Sequence, residues 1–188
     1  MSDDKKQPRV GDVGRILESH LRFEGRTIQL VTERVVLPNG NEIEIDIVRH
    51  PGAAAIVALD DDGSIVMVRV YRHALREWQL EVPAGKLAAG EDVEASAKRE
   101  LAEETGVRAR TWRGLGSIVV SPGFCDERVW LFLATDLTRG EQELEENEVI
   151  LVERLPLAEA ERRALAGEIV DSKSACAILR AAALLRTA

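Results

Sequence analysis

Residues 52–72, GAAAIVALDDDGSIVMVRVYR, contain two apolar runs that are separated by the turn-forming residues Asp61, Asp62 and Gly63. Short apolar runs bounded by turn residues are typical of buried strands, and Asp-Gly favours a tight turn between antiparallel neighbours. The pattern therefore predicts a hairpin of buried strands. We expect the core sheet of the protein to start here.

A second β-rich region precedes this hairpin. Residues 14–50 alternate in the manner of strands, notably in TIQLVTERVVL and EIEIDIVRH, and the PNGN between them contains Asn39-Gly40, a tight-turn signal. We predict a small N-terminal β unit over residues 1–50, followed by a larger second domain over 51–188 that ends in a C-terminal helix.

The remaining chain adds one acidic helix, further strands and two final helices. Asp92 can cap a helix from about Val93 to Thr105, and Gly106 is placed to end it. Strands are expected at GLGSIVVS, RVWLFLATDL and VILVERL, and helices at LAEAERRALAGE and SKSACAILRAAALLRTA. This order indicates the α+β class, with helices packed on a mixed sheet.

Composition excludes several classes of protein. The chain has 188 residues, the length of one ordinary domain, and no apolar run approaches the roughly 20 residues of a membrane span. The net charge of −8 argues against nucleic acid as a partner. The polar N-terminus lacks the hydrophobic region of a secretory signal. Cys125 and Cys176 lie far apart, which argues against a thiolate zinc site and favours the cytoplasm.

Three glutamates share one face of the predicted acidic helix. Glu100 and Glu104 are one turn apart, and Glu103 stands beside them. Such a group is usually a solvated acidic face. However, like charges at this spacing repel, and divalent cations that accept carboxylate oxygens would relieve the repulsion. Ligands of this hard-oxygen kind suit Mg²⁺ or Mn²⁺ better than zinc.

This segment resembles the Nudix box of the Nudix hydrolases at every defining position. Gly85 is followed after five residues by Glu91, and after seven more by RELAEETGV, residues 99–107. The resemblance implies an α/β/α sandwich around a mixed sheet. It also implies a metal-dependent hydrolase of nucleoside diphosphates that are linked to another moiety.

The resemblance assigns roles to individual residues of the box. Glu100 and Glu104 correspond to the metal-binding carboxylates, and the backbone carbonyl of Ala84 to a further metal ligand. Glu103 corresponds to a supporting residue. Arg99 is four positions before Glu103 and can pair with it, which would hold the carboxylate face in position.

Pro122, sixteen residues beyond Gly106, makes the chain similar to the ADP-ribose pyrophosphatase subgroup, although Ser-Pro-Gly also forms a simple turn readily. RHPGAAAIVAL, VYRHALREWQLEVPAGK, EENEVILVERL and GEIVDSKSACAILRA resemble further segments of that subgroup. The resemblance implies hydrolysis of ADP-ribose to AMP and ribose 5-phosphate by a homodimer that the N-terminal unit helps to form. The sequence alone leaves open another nucleotide sugar, such as GDP-mannose, or a non-catalytic ADP-ribose sensor.

The same resemblance suggests the substrate-binding residues. Arg72 corresponds to an arginine that meets a phosphate, and Glu81 to a residue that anchors the loop or touches a metal-bound water. Three residues of the SPGFCDE segment correspond to positions near the distal ribose: Ser121, Gly123 and Glu127. Pro122, which marks the substrate preference of the subgroup, is expected at the same substrate-binding segment.

The catalytic base is expected in the acidic segment EQELEENE, residues 141–148, because the subgroup takes its base from a glutamate well after the box. Its position before the next strand favours Glu146, and then Glu148. A solvated acidic loop is the alternative interpretation. One departure from the subgroup is EIEID before HPG, where an arginine often reaches the substrate. Arg49 is the nearest basic residue.

Overall fold

A computed structural model describes residues 7–144 and 149–187. These residues divide into two compact units. The first unit runs to Pro51 and also includes Ser121–Glu127, and the second comprises Gly52–Val120 and the chain from Arg128 onward. Within the described ranges, no helix is both long and apolar enough to cross a membrane.

The first unit is built on a three-stranded antiparallel sheet. Its strands are β1 (Arg15–Glu24), β2 (Gln29–Val36) and β3 (Glu42–Arg49), in that spatial order. The predicted hairpin at Asn39-Gly40 is confirmed. Gly40 adopts φ 84°, a left-handed conformation that glycine tolerates without strain, and its N–H donates to the carbonyl of Leu37.

Ser121–Glu127 joins this unit by lying along β3. The Val48 N–H donates to the Phe124 carbonyl at 2.7 Å, and the Asp126 N–H donates to the Val48 carbonyl at 3.1 Å. The Asp126 side chain then accepts from Arg49 Nη1 at 3.0 Å and from the His50 N–H at 2.9 Å. Backbone and ion-pair contacts therefore bind the late segment to the N-terminal sheet.

The second unit contains a seven-stranded mixed sheet. Along its main path the order is β10-β5-β4-β9-β8, with β6 paired to β5 and β7 paired to β4. Only the β4–β9 pair is parallel among these pairings. The strands are β4 (Ala53–Leu59), β5 (Ser64–Arg72), β6 (Glu77–Glu81), β7 (Ala84–Lys86), β8 (Val107–Val119), β9 (Arg128–Arg139) and β10 (Ile150–Pro156).

Helices cover both faces of this sheet, because β4 is apolar on both sides. Ala54 and Ile56 pack with the helix α1 (Val93–Thr105), whereas Ala55 and Val57 face the opposite cluster. That second cluster includes residues of α2 (Leu157–Leu165) and α3 (Ser172–Leu185). The expected α+β class, with helices on a mixed sheet, is confirmed.

Strand β8 is longer than the sequence suggested. The prediction began at Gly114, whereas the strand starts at Val107, directly after the end of α1. Its first half, VRARTWR, is rich in arginine and largely outside the core, so it lacks the apolar run by which buried strands are recognised.

Candidate active site

The loop between β6 and α1 is fixed to the central strand β4. The Ile56 N–H donates to the Pro83 carbonyl at 2.9 Å, and the short strand β7 pairs with Ala53–Ala55. The Leu87 N–H donates to the Gly52 carbonyl at 3.1 Å. Because the loop has backbone partners on both sides of Gly85, its polar atoms lie at defined positions beside the acidic helix.

Helix α1 has the predicted bounds and the predicted caps. The Asp92 side chain accepts from the N–H groups of Glu94 and Ala95, both at 3.0 Å. Gly106 ends the helix in the left-handed conformation, at φ 68°. Ala97 and Leu101, which lie one turn apart on the helix, are fully buried against the sheet. The rotation of the helix is thus set by its apolar face.

Two of the three glutamates on this helix face are buried, so the solvated-face interpretation is wrong for them. Glu100 is 8% exposed and Glu104 is 5% exposed, while Glu103 is half-buried. Unpaired carboxylates are rarely buried, because the loss of hydration is costly unless hydrogen bonds or cations compensate for it. The burial of Glu100 and Glu104 therefore requires specific partners.

The β6–α1 loop contacts both buried carboxylates. The Ala84 N–H donates to Glu104 Oε2 at 2.8 Å. The Glu100 carboxylate lies against the α-carbon of Gly85, where an added β-carbon would be 1.8 Å from Glu100 Cδ. The first residue of the box is therefore a glycine because this carboxylate occupies the place of a side chain.

Arg99 organises the exposed side of the same carboxylate group. Its Nη1 donates to Glu100 Oε1 at 2.7 Å and to Glu103 Oε2 at 2.9 Å, which confirms the predicted Arg99–Glu103 pair. Its Nε and Nη2 donate to the two oxygens of Glu91, each at 3.0 Å. One guanidinium thus holds three glutamates of the box, and a fork of this kind fixes their geometry.

The contact between Arg99 and Glu91 affects ionisation on both sides. Hydrogen bonds from Arg99, and then the N–H of Ala88, lower the pKa of Glu91 to about 2. In return, the hydrogen bonds to Glu91 raise the pKa of Arg99 above its ordinary value despite partial burial. The role of Glu91 in binding Arg99 was not predicted, because the two residues are eight positions apart across the start of the helix.

The residues of the box fit a hard divalent cation. Within residues 7–144 and 149–187, no group of three or more His, Cys, Asp or Glu side chains is arranged as a metal cluster. Mg²⁺, however, is commonly held by only one or two carboxylates, together with water and substrate phosphates. Glu100 and Glu104, two buried carboxylates beside an ordered loop, supply that donor set.

Arg72 and Glu81 form a second charged group on the neighbouring strands. The side chain of Arg72 is 42% exposed, and its Nε and Nη2 donate to Glu81 Oε1 and Oε2 at 2.7 and 2.6 Å. The hydrogen bonds to Glu81 raise the pKa of Arg72, and the charges of Asp171 and Glu104 act in the same direction. The charge of the box carboxylate Glu104 therefore reaches Arg72.

Lys173 also contacts Glu81, a contact that sequence reasoning missed. Lys173 Nζ donates to Glu81 Oε2 at 2.5 Å, from the first turn of α3. The two residues are 92 positions apart, and a lysine in the first turn of a helix gives no local signal of such a contact.

The acidic segment begins at the C-terminal end of α1. The Gly140 N–H donates to the Gly106 carbonyl at 2.6 Å, and the Glu143 N–H donates to the Glu103 carbonyl at 2.9 Å. Gln142 Nε2 donates to the Glu104 carbonyl at 2.5 Å, which satisfies a helix-end carbonyl. The favoured bases, Glu146 and Glu148, lie outside the described residues.

The predicted substrate-binding residues of the SPGFCDE segment lie in the first unit. Ser121 opens a turn, in which its carbonyl accepts the N–H groups of Phe124 and Cys125 at 3.1 and 2.9 Å. Pro122 and Gly123 form the body of that turn. Glu127 follows it, and its Oε1 is 3.7 Å from His50 Nδ1. The turn interpretation of Pro122 agrees with this geometry, while the contacts of these four residues with a substrate stay predictions.

Comparison with known proteins gives several long matches. A NUDIX domain model matches residues 48–174. Two proteins named ADP-ribose pyrophosphatase, from Bacillus subtilis (strain 168) and Mycobacterium tuberculosis (strain ATCC 25618 / H37Rv), are 43% and 41% identical to the chain. The first match covers 83% of this chain and 85% of the relative, and the second covers 87% and 80%.

Two further matches concern a differently named relative and the fold. A protein named methanol dehydrogenase activator, from Bacillus methanolicus, is 42% identical over 83% of this chain and 85% of its own. A crystal structure of an ADP compounds hydrolase has a TM-score of 0.80 over 97% of both chains, at 21% identity, and so shares the fold. The resemblance found in the sequence is confirmed, and the chain belongs to the Nudix family.

Proposed function

We propose that the chain hydrolyses the diphosphate bond of ADP-ribose, giving AMP and ribose 5-phosphate. The observation that carries this proposal is the pair of buried carboxylates, Glu100 and Glu104, held against the β6–α1 loop. The names of the relatives from B. subtilis and M. tuberculosis, which match most of the chain, support ADP-ribose as the substrate.

The residues of the chain supply binding and orientation. Glu100 and Glu104 would hold Mg²⁺ or Mn²⁺, with the Ala84 carbonyl as the further ligand that the family resemblance implies. When bound, the cation would neutralise the negative charge of the diphosphate and orient it for attack by water. Arg99 fixes Glu100 and Glu103 relative to each other. Positioning of this kind provides much of the catalysis in phosphoryl transfer.

Arg72 is the proposed phosphate-binding residue of the same site. Two of its nitrogens are committed to Glu81, while Nη1 makes no hydrogen bond within residues 7–144 and 149–187. A guanidinium that is fixed along one edge can present its other edge to a phosphate oxygen. Glu81 therefore acts as an anchor for the phosphate-binding group.

The substrate assignment is tested by a product assay across ADP-ribose, GDP-mannose, NADH, diadenosine polyphosphates and 8-oxo-dGTP. We expect ADP-ribose to have the highest kcat/KM and to yield AMP. Glu104→Gln should abolish metal-dependent turnover while the far-ultraviolet circular dichroism spectrum is retained. Glu94→Gln, which changes an exposed carboxylate of the same helix, should keep full activity. A clear preference for GDP-mannose would replace the proposed substrate, and an active Glu104→Gln variant would remove the metal assignment.

We also propose a homodimer in which the N-terminal unit contributes to the interface. Within the first unit, β1 and the neighbouring strands expose several large apolar side chains, among them Ile16, Leu21 and Phe23. Exposed apolar groups clustered on one element are typical of protein–protein interfaces. Deletion of residues 1–48 should therefore give a monomer in sedimentation measurements. A truncated chain that remained dimeric would contradict this proposal.

The cytoplasm is the proposed location, supported by two cysteines that form no disulfide, Cys125 and Cys176. Cell fractionation tests it directly. Recovery of the protein mainly outside the cytoplasmic fraction would contradict it.

A further inference from the structure

Glu81 is a buried carboxylate that is paired with two basic side chains. Its side chain is 3% exposed, and it accepts hydrogen bonds from Arg72 on β5 and from Lys173 on α3. Burial raises the pKa of Glu81, but the hydrogen bonds from Arg72 and the charge of Lys173 outweigh this effect and hold the pKa below its ordinary value. Glu81 is therefore ionised at neutral pH and carries a full negative charge between the two cations.

Lys173 is itself held in a defined position. Its side chain is 15% exposed, and Nζ also donates to Asp171 Oδ1 at 2.9 Å. Asp171 caps α3 through its other oxygen, Oδ2, which accepts the N–H of Ser174 at 2.9 Å. The Val82 N–H then donates to Ser174 Oγ at 2.9 Å. The first turn of α3 is thereby fixed against the residues that directly precede the box loop.

The number of charges around Glu81 matters for Arg72. With Arg72 as its only cationic partner, Glu81 would form a neutral pair, and an approaching anion would meet a guanidinium whose charge is largely cancelled. Lys173 is a second positive charge beside Glu81, so Arg72 alone does not have to balance the negative charge of this carboxylate. Asp171 does not reverse this effect, because the positive N-terminal end of α3 offsets part of its charge. The charge of Lys173 therefore makes the potential at the exposed edge of Arg72 more positive than the nearby carboxylates Glu81, Asp171 and Glu104 would otherwise leave it.

We infer that Lys173 is a positioning residue for phosphate binding: by sharing Glu81, it lets this carboxylate fix Arg72 while leaving the guanidinium charge available to a substrate phosphate. This inference rests on the phosphate-binding role proposed above for Arg72. According to this inference, the start of α3, about a hundred residues after Arg72 in the chain, also determines the affinity for the diphosphate.

The test compares four variants of the full chain: Lys173→Met, Lys173→Arg, Arg72→Gln and the Arg72→Gln/Lys173→Met double variant. ADP binding is followed by NMR titration in EDTA, and kcat and KM for ADP-ribose are measured with Mg²⁺. Lys173→Met should weaken ADP binding and raise KM by about tenfold, the scale of one charge-assisted contact, with a smaller change in kcat. Lys173→Arg should restore binding. The double variant should bind ADP no more weakly than Arg72→Gln, because Lys173 acts through Arg72.

Arg186→Met is the matched control, since Arg186 forms an ion pair with Glu161 near the other end of α3. It should leave ADP binding unchanged. Thermal unfolding of each variant separates lost binding from a lost fold. If Lys173→Met is destabilised and Lys173→Arg does not restore ADP binding, the role of Lys173 is merely structural.

The outcomes separate this inference from the proposed function. Wild-type ADP affinity in Lys173→Met, together with weak binding by Arg72→Gln, would overturn the role of Lys173 and leave the enzyme assignment intact. Absence of ADP-ribose hydrolysis by the wild type, together with ADP binding that depends on Lys173 through Arg72, would refute the substrate and support the inference. ADP binding that depends on neither residue would overturn the inference.

Discussion

The carboxylate of Glu100 lies against the backbone of Gly85, in the space that a β-carbon at position 85 would occupy. Such a β-carbon would be 1.8 Å from Glu100 Cδ and 2.1 Å from each carboxylate oxygen. Non-bonded heavy atoms do not approach this closely, so any side chain at position 85 must displace the carboxylate. The glycine of the box thus determines where a proposed metal ligand can lie.

Gly85→Ala should therefore weaken metal binding more than it weakens the fold. The Glu100 side chain can rotate away from the new methyl group, but its oxygens then leave their position beside the loop. We expect a loss of about 10- to 100-fold in Mn²⁺ affinity, the scale seen when the orientation of a ligand is disturbed. Electron paramagnetic resonance titration with Mn²⁺ measures it. Gly114→Ala is the control, because a β-carbon there meets no atom within 4 Å, and wild-type affinity in Gly85→Ala would contradict the assignment of Glu100.

Gly106 has two reasons to be glycine, and a matched pair of variants separates them. Its φ of 68° is left-handed, and a β-carbon would lie 2.6 Å from the Gly140 carbonyl oxygen. Gly167 has a similar φ of 73° but meets no atom within 4 Å. Gly167→Ala should cost about 1–2 kcal/mol of unfolding free energy from the backbone conformation alone.

Gly106→Ala should cost more than Gly167→Ala in urea unfolding, because it adds the clash with the Gly140–Gln142 backbone. It should also reduce turnover, since that backbone begins the acidic segment. Equal unfolding free energies for the two variants would show that the segment yields to the methyl group without cost.

Stability toward acid should depend on Glu91. Because hydrogen bonds from Arg99 lower its pKa from 4.5 to about 2 in the folded protein, the unfolded chain binds a proton at this residue at a higher pH than the folded chain does. Its contribution to stability is therefore complete above pH 4.5 and is lost as the pH falls from 4.5 toward 2. Urea unfolding measured from about pH 6 to about pH 3 should show a weaker pH dependence of the unfolding free energy in Glu91→Gln than in the wild type.

Glu94→Gln is the control for this measurement, because Glu94 forms an exposed ion pair with Lys98 in the same part of the helix. It should retain the wild-type pH dependence. An identical slope in Glu91→Gln and the wild type would show that the contact with Arg99 does not persist in solution.

The local features of this chain could be predicted from its sequence. The capping residues Asp92 and Gly106 set the bounds of α1 because helix ends depend on neighbouring residues. The buried strands β4 and β5 were evident from continuous apolar runs. The spacing of Glu100 and Glu104 predicted a shared helix face. Their burial depended on the loop contacts from Ala84 and Gly85, which spacing alone does not reveal.

What the sequence did not predict involves contacts between distant residues. Lys173 reaches Glu81 across 92 positions, and Gln142 reaches the Glu104 carbonyl across 38. Asp126 joins Arg49 across 77 positions and thereby ties the SPGFCDE segment to β3. Each contact depends on how strands and helices meet in space, and the local pattern around each residue is compatible with an ordinary surface position.

The identity of the catalytic base is the last prediction, and it concerns Glu146 and Glu148. The segment that contains them begins at the end of α1, where Gln142 and the Glu143 backbone bind the carbonyls of Glu104 and Glu103. The residues just before the two candidates are therefore anchored to the helix that bears the proposed metal ligands.

We expect Glu146→Gln to lower kcat for ADP-ribose by about 10²- to 10⁴-fold, the range for loss of a general base. Glu148→Gln should retain most of the activity. Glu141→Gln is the control, because it changes an exposed carboxylate earlier in the segment. Stopped-flow single-turnover rates distinguish a slower chemical step from slower product release. A large loss in Glu148→Gln alone would transfer the role to Glu148, and modest losses in both variants would indicate that neighbouring carboxylates substitute for one another.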